Sequence, residues 1–118
     1  MSYLGNEVLL SKSTANKFSN IKQKTGITPN IMGRIALMKA LESDVSILQL
    51  KSVGHFGQKI PRDIFFGNDE DVIGLSLEFY VLKSGYDGEI KDLVNMLVEY
   101  GAHSIPQIKS IKDLDFLI

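Results

Sequence analysis

The sequence predicts a mainly α-helical single domain: a short strand and two helices, followed by two or three further helices. Three observations carry this prediction. Apolar residues recur at helical spacing over most of the chain. Residues that start and stop helices punctuate it, among them Ser11, Gly26, Thr28-Pro29 and Gly101. The 118 residues, 44 % hydrophobic and 23 % charged, suit one globular unit with a modest core.

Residues 7–10, Glu-Val-Leu-Leu, are apolar and β-branched enough for a short strand. Ser11 or Ser13 can then cap a helix, because a Ser oxygen accepts from an amide of the first turn. Ala15, Phe18 and Ile21 follow at helical spacing, with Lys17, Asn20 and Lys24 on another face, so a helix is expected over 12–25. Gly26 stands where a left-handed C-terminal cap is expected. Thr28-Pro29 opens a second helix over 29–42: Thr caps, and Pro suits a first position whose N–H has no partner. Ile31, Ile35, Met38 and Leu41 trace one apolar face and Met32, Ala36 and Leu37 a second. Such a helix belongs at the centre of the fold or in a subunit interface.

Residues 43–60 admit a strand or a continued helix around Val45–Leu50, then a loop at Gly54-His55-Phe56-Gly57, with Ile60-Pro61 as a break. Asn68 or Asp69 can cap a third helix carrying Val72, Ile73, Leu75, Leu77, Phe79, Tyr80 and Leu82, although these residue types also suit a strand. Gly85-Tyr86-Asp87-Gly88 reads as a turn. A further helix is expected over 89–100 with Gly101 as its stop, and a short docking helix around Ile108, Ile111, Leu114 and Phe116.

The composition excludes several kinds of chemistry. Without Cys there is no disulfide, no thiolate metal site and no Cys nucleophile, which fits a reducing cytoplasm. The start Met-Ser-Tyr-Leu-Gly-Asn-Glu does not read as a signal peptide. No apolar run approaches the roughly 18 residues of a membrane span, so no membrane partner is expected. His55 and His103 lie 48 positions apart and lack neighbouring ligands at metal spacing. Neither a phosphate-binding glycine loop nor a nucleophile elbow is present. Asp69-Glu70-Asp71 reads as a helix-capping cluster before a cation site. No catalytic residue, metal or cofactor is therefore expected.

Charge is distributed unevenly. Residues 1–42 hold six Lys/Arg against two Glu, a net +4, and residues 43–118 hold seven against twelve Asp/Glu, a net −5. A basic 1–42 part beside an acidic helical 43–118 part points to a polyanion partner. The candidate backbone-binding residues are Lys12, Lys17, Lys22, Lys24, Thr28, Asn30 and Arg34. Lys17 and Lys24, two turns apart, share a helix face, while Thr28 and Asn30 add donors beside second-helix amides that would favour a phosphate. A strand and two helices joined in this way resemble the ribbon-helix-helix arrangement, in which two chains pair their strands. Val8, Leu9 and Leu10 cannot read base edges, so contact with the DNA backbone is expected rather than sequence readout.

Leu10-Ser11-Lys12 through Lys22, Thr25-Gly26-Ile27-Thr28-Pro29-Asn30-Ile31 and Arg34-Ile35-Ala36-Leu37 resemble the start of the DndE family. Gly57-Gln58-Lys59-Ile60 and Phe65-Phe66-Gly67-Asn68 extend the resemblance, which covers roughly residues 8–100. The resemblance implies a small component of bacterial DNA phosphorothioate modification. Its partners would be double-stranded DNA, including nicked duplex, and the other DNA sulfur-modification proteins. It implies self-association as a dimer or tetramer, for which the apolar second helix is the expected surface. The alternative is a scaffold whose acidic part docks the other modification proteins.

Overall fold

The computed structural model describes residues 4–54, 56–110 and 112–113. Strand β1 (Glu7–Ser11) leads into helix α1 (Lys12–Thr25), and helix α2 (Pro29–Glu42) follows. A 3₁₀ turn at Ile47–Gln49 precedes strand β2 (Phe56–Pro61), the short helix α3 (Arg62–Phe66), helix α4 (Glu70–Ser84) and helix α5 (Ile90–Ser104). The predicted mainly helical fold, with a strand and two helices leading, is the one observed.

The first two helices begin and end where the cap residues place them. The Ser11 hydroxyl accepts from the Thr14 amide at 3.1 Å. Gly26 closes α1 at φ 82°, and its N–H donates to the Lys22 carbonyl at 2.8 Å. A left-handed residue here favours glycine because no Cβ meets the following carbonyl. Thr28 holds the cap position of α2 in an extended conformation, but its side chain makes no capping bond, contrary to expectation. The Pro at the first helical position already removes one orphan donor, and the Met32 amide takes the Thr28 carbonyl at 3.0 Å.

Three expectations are corrected, and one apolar run to which the sequence assigns no element is placed. Residues 56–61, read as a loop and a break, form β2 and pair antiparallel with β1, Val8 opposite Ile60 and Leu9 opposite Lys59. Gly57 and Pro61 disguise this strand, because neither has strand propensity. Ile64-Phe65-Phe66 lies in α3. Gly101 does not stop α5, which continues to Ser104. A Cβ at Gly101 would come within 1.8 Å of the Ala36 carbonyl oxygen, so this glycine lets α5 lie directly on the α2 backbone. The proposed C-terminal helix falls largely outside the described residues. Of its described residues, 107–110 are not helical, 112–113 lie in a 3₁₀ turn, and Ile108 is buried.

The core runs between α2 and α5. Met32, Ala36 and Leu37 meet Leu93, Val94, Leu97 and Val98, all fully buried. Val8 and Leu10 of β1 and Phe18 and Ile21 of α1 close one side. The apolar faces of α2 are thus mostly spent within the chain, which settles its place at the centre of the fold. On the far side, Tyr80 donates from its hydroxyl to the Val45 carbonyl at 2.7 Å and anchors α4. Among the described residues no helix is long and apolar enough to cross a membrane.

Candidate nucleic-acid interface

Helix α1 carries Lys12, Lys17, Lys22 and Lys24 and not one Asp or Glu. Its buried stripe, Thr14, Phe18 and Ile21, faces the core and leaves the lysines on the remaining circumference. Lys12, Lys22 and Lys24 are exposed. At about 100° per residue, Lys24 and Lys22 stand on opposite flanks of the buried stripe, so the lysines belt the helix and do not form a single face.

Lys17 is placed differently. Its ammonium donates to the Ala102 carbonyl at 2.7 Å and to the Ile105 carbonyl, at the end of α5. The last carbonyls of a helix have no intrahelical donors, and a cation there also meets the negative end of the helix dipole. Burial pushes this ammonium below its ordinary 10.5. Lys17 shares a flank with Lys24, as its spacing predicts, but it fastens α1 to α5.

Arg34 and Asn30 also turn inward. The Asn30 amide nitrogen donates to the Ile64 carbonyl at 3.4 Å, and Arg34 donates to the same oxygen at 3.3 Å. Arg34 lies 3.9 Å from Asp69 and is a quarter exposed. Together they brace α2 against α3 and its following turn. Thr28 is half-buried at the start of α2.

Residues not singled out in the sequence complete the surface. Between α1 and the segment after α5 runs a groove of about 440 Å³ lined by Ser13, Asn16, Lys17, Asn20, Lys24 and Gln107, with Ile21 and Ile108 also in its wall. None of its lining residues is a carboxylate. Asn16, Asn20 and Lys24 recur every fourth residue, a helix row visible in the sequence. Gln107 has no such signal, because only folding brings it to α1.

At the other end of α1, Glu99 of α5 makes a polar joint. Its carboxylate accepts from the Ser11 amide and hydroxyl, each at 2.8 Å, and from the Thr14 hydroxyl at 2.9 Å. Asn95 accepts from the Leu9 amide at 3.0 Å. These two side chains occupy the edge of β1 that β2 leaves open. That edge is closed to strand pairing of the ribbon-helix-helix kind, and Val8 and Leu10 are buried away from any base. Among the described residues no group of three His, Cys, Asp or Glu could hold a metal ion. His103 is exposed on the last turn of α5, and His55 lies outside the described residues.

The arrangement defines a small helical domain with a two-stranded ribbon and a cationic, carboxylate-free first helix. The family model for DndE, described as DNA sulphur modification protein DndE, matches residues 7–113, and the chain belongs to that family. It is similar to the crystal structure of DndE from Escherichia coli B7A, involved in DNA phosphorothioation modification. That match has a TM-score of 0.67 and 24 % identity, covering 86 % of this chain and 97 % of the other. The crystal structure of a DndE G21/24K mutant involved in DNA phosphorothioation matches with a TM-score of 0.64 and 23 % identity, covering 85 % and 96 %. No curated protein sequence matched.

Proposed function

We propose that this protein is a non-catalytic, self-associating subunit of DNA phosphorothioate modification that grips the backbone of duplex DNA without reading its sequence. The observation that carries this reading is α1: three exposed lysines, and a groove lined by hydroxyl, amide and ammonium side chains with no carboxylate. Phosphates are held by Lys, Ser, Asn and Gln donors of this kind, and such contacts fix position without specifying bases. The helix rise separates Lys12 from Lys22 by about 15 Å, comparable with a major groove about 12 Å wide. Phosphates on either side of a groove are therefore within reach of one helix.

Lys12, Lys22 and Lys24 make the direct contacts in this reading. Thr28 and the first amides of α2 offer a secondary one. Lys17, Asn30 and Arg34 hold the elements in place. A nicked duplex bends at lower cost, so a surface with spaced cations favours it over intact duplex. The chain has no Cys to carry a persulfide, and in this reading sulfur transfer falls to the other modification proteins.

Fluorescence anisotropy with labelled duplexes of unrelated sequence tests the reading. Equal affinities are expected across sequences, with nicked duplex bound more tightly. A strong preference for one sequence would overturn it.

A further inference from the structure

We infer that one strand of the bound duplex lies in the groove between α1 and the segment after α5, with Gln107 as its contact on the far wall. This placement rests on the backbone-gripping reading above and puts the strand on the Lys24 flank of α1. Ile105 and Ile108 are buried against the core, and Gln107 stands exposed between them. The two isoleucines pin the segment, and the Lys17 ammonium holds the Ile105 carbonyl. Gln107 is thereby fixed across about 440 Å³ of groove from Ser13, Asn16, Asn20 and Lys24.

The lining suits a phosphate strand. Ser13, Asn16, Asn20 and Gln107 each carry a neutral donor, Lys24 carries a cation, and no lining residue is a carboxylate. Such donors are common partners of phosphate and sugar oxygens. Among the described residues, the side chains of Asn16, Asn20, Lys24 and Gln107 make no hydrogen bond or ion pair that would compete for them. Asn16, Asn20 and Lys24 rise by about 6 Å from one to the next, close to the step between successive phosphates of one strand. An acidic peptide would need carboxylates at that same interval. The amide contacts neutralise no charge, so they add affinity without adding to its salt dependence.

Duplex binding across a salt series tests the groove through Gln107→Lys, Gln107→Glu and, on the facing wall, Asn20→Lys. Circular dichroism checks that each remains folded. Asp87→Asn is the control, with the same one-unit change of charge as the lysine variants. It lies before α5, whose 15 residues span about 22 Å, well beyond a Debye length of roughly 8 Å at physiological salt. Each added lysine should tighten binding and steepen the slope of log affinity against log salt by about 0.9. Gln107→Glu should bind about tenfold more weakly, because a donor is lost and a carboxylate faces the phosphate. A merely structural Gln107 would not tighten binding when replaced by lysine. Wild-type slopes in both lysine variants would overturn the groove and leave the lysine contacts standing. An equal steepening in Asp87→Asn would trace the effect to net charge and also overturn the groove. A wild type without salt-dependent affinity for duplex would overturn both the groove and the reading it rests on.

Discussion

The Lys17 ammonium reaches the Ala102 carbonyl at 2.7 Å, tying the middle of α1 to the C-terminal end of α5. A lysine on the helix proposed to face DNA is thereby assigned to the framework. Lys17→Met keeps the aliphatic stem but leaves the carbonyls of Ala102 and Ile105 without this donor. It should lower stability by about 1–2 kcal/mol. Urea denaturation measures the loss, and DNA affinity at moderate salt should stay within twofold. A large affinity loss in a stably folded Lys17→Met protein would make Lys17 a direct DNA contact.

Tyr80 gives the fold an alkaline limit. Burial first, and Asp44 second, push its phenol above the ordinary 10.0. The folded state therefore holds the proton where the unfolded chain has released it. The hydroxyl's contribution is fully present below pH 10 and is lost as pH rises through the folded pKa. Tyr80→Phe should cost about 1 kcal/mol at pH 8, where its bond to Val45 is intact. That difference from the wild type should shrink above pH 10, as measured by denaturant midpoints at both pH values.

Glu99 accepts three hydrogen bonds at the joint of β1, α1 and α5. Glu99→Ala leaves the Ser11 amide and two hydroxyls without this acceptor, at about 2–3 kcal/mol. Glu99→Gln keeps one acceptor oxygen, and the hydroxyls can turn to accept from its NH₂. It should recover at least half of the loss. Thermal melts of both variants beside the wild type decide this; a Glu99→Ala protein that melts with the wild type would mean that the carboxylate is not what holds the joint.

Local signals in the sequence located α1 and α2 because both are bounded by residues that act on their own neighbours, Ser11 and Gly26 on one and Thr28-Pro29 on the other. The strand β2 was not legible. Gly57 and Pro61 are poor strand formers, and the pairing that holds them is with residues about fifty positions away. Gly101 was misread for a related reason: its small size serves contact with Ala36 on another helix, not a turn in its own. The cationic character of the candidate interface was plain in the absence of acids between Lys12 and Thr25. Which lysines stay free was not, since the partners of Lys17 lie more than eighty residues on.

The central claim is that α1 grips DNA phosphates, and the salt dependence of binding tests it most directly. Removing one lysine that neutralises a phosphate makes the slope of log affinity against log salt shallower by about 0.9. A folded Lys12→Ala/Lys22→Ala/Lys24→Ala variant should bind duplex at least tenfold more weakly, with its slope reduced by about 2 to 3. An unchanged slope and affinity in that variant would contradict the account.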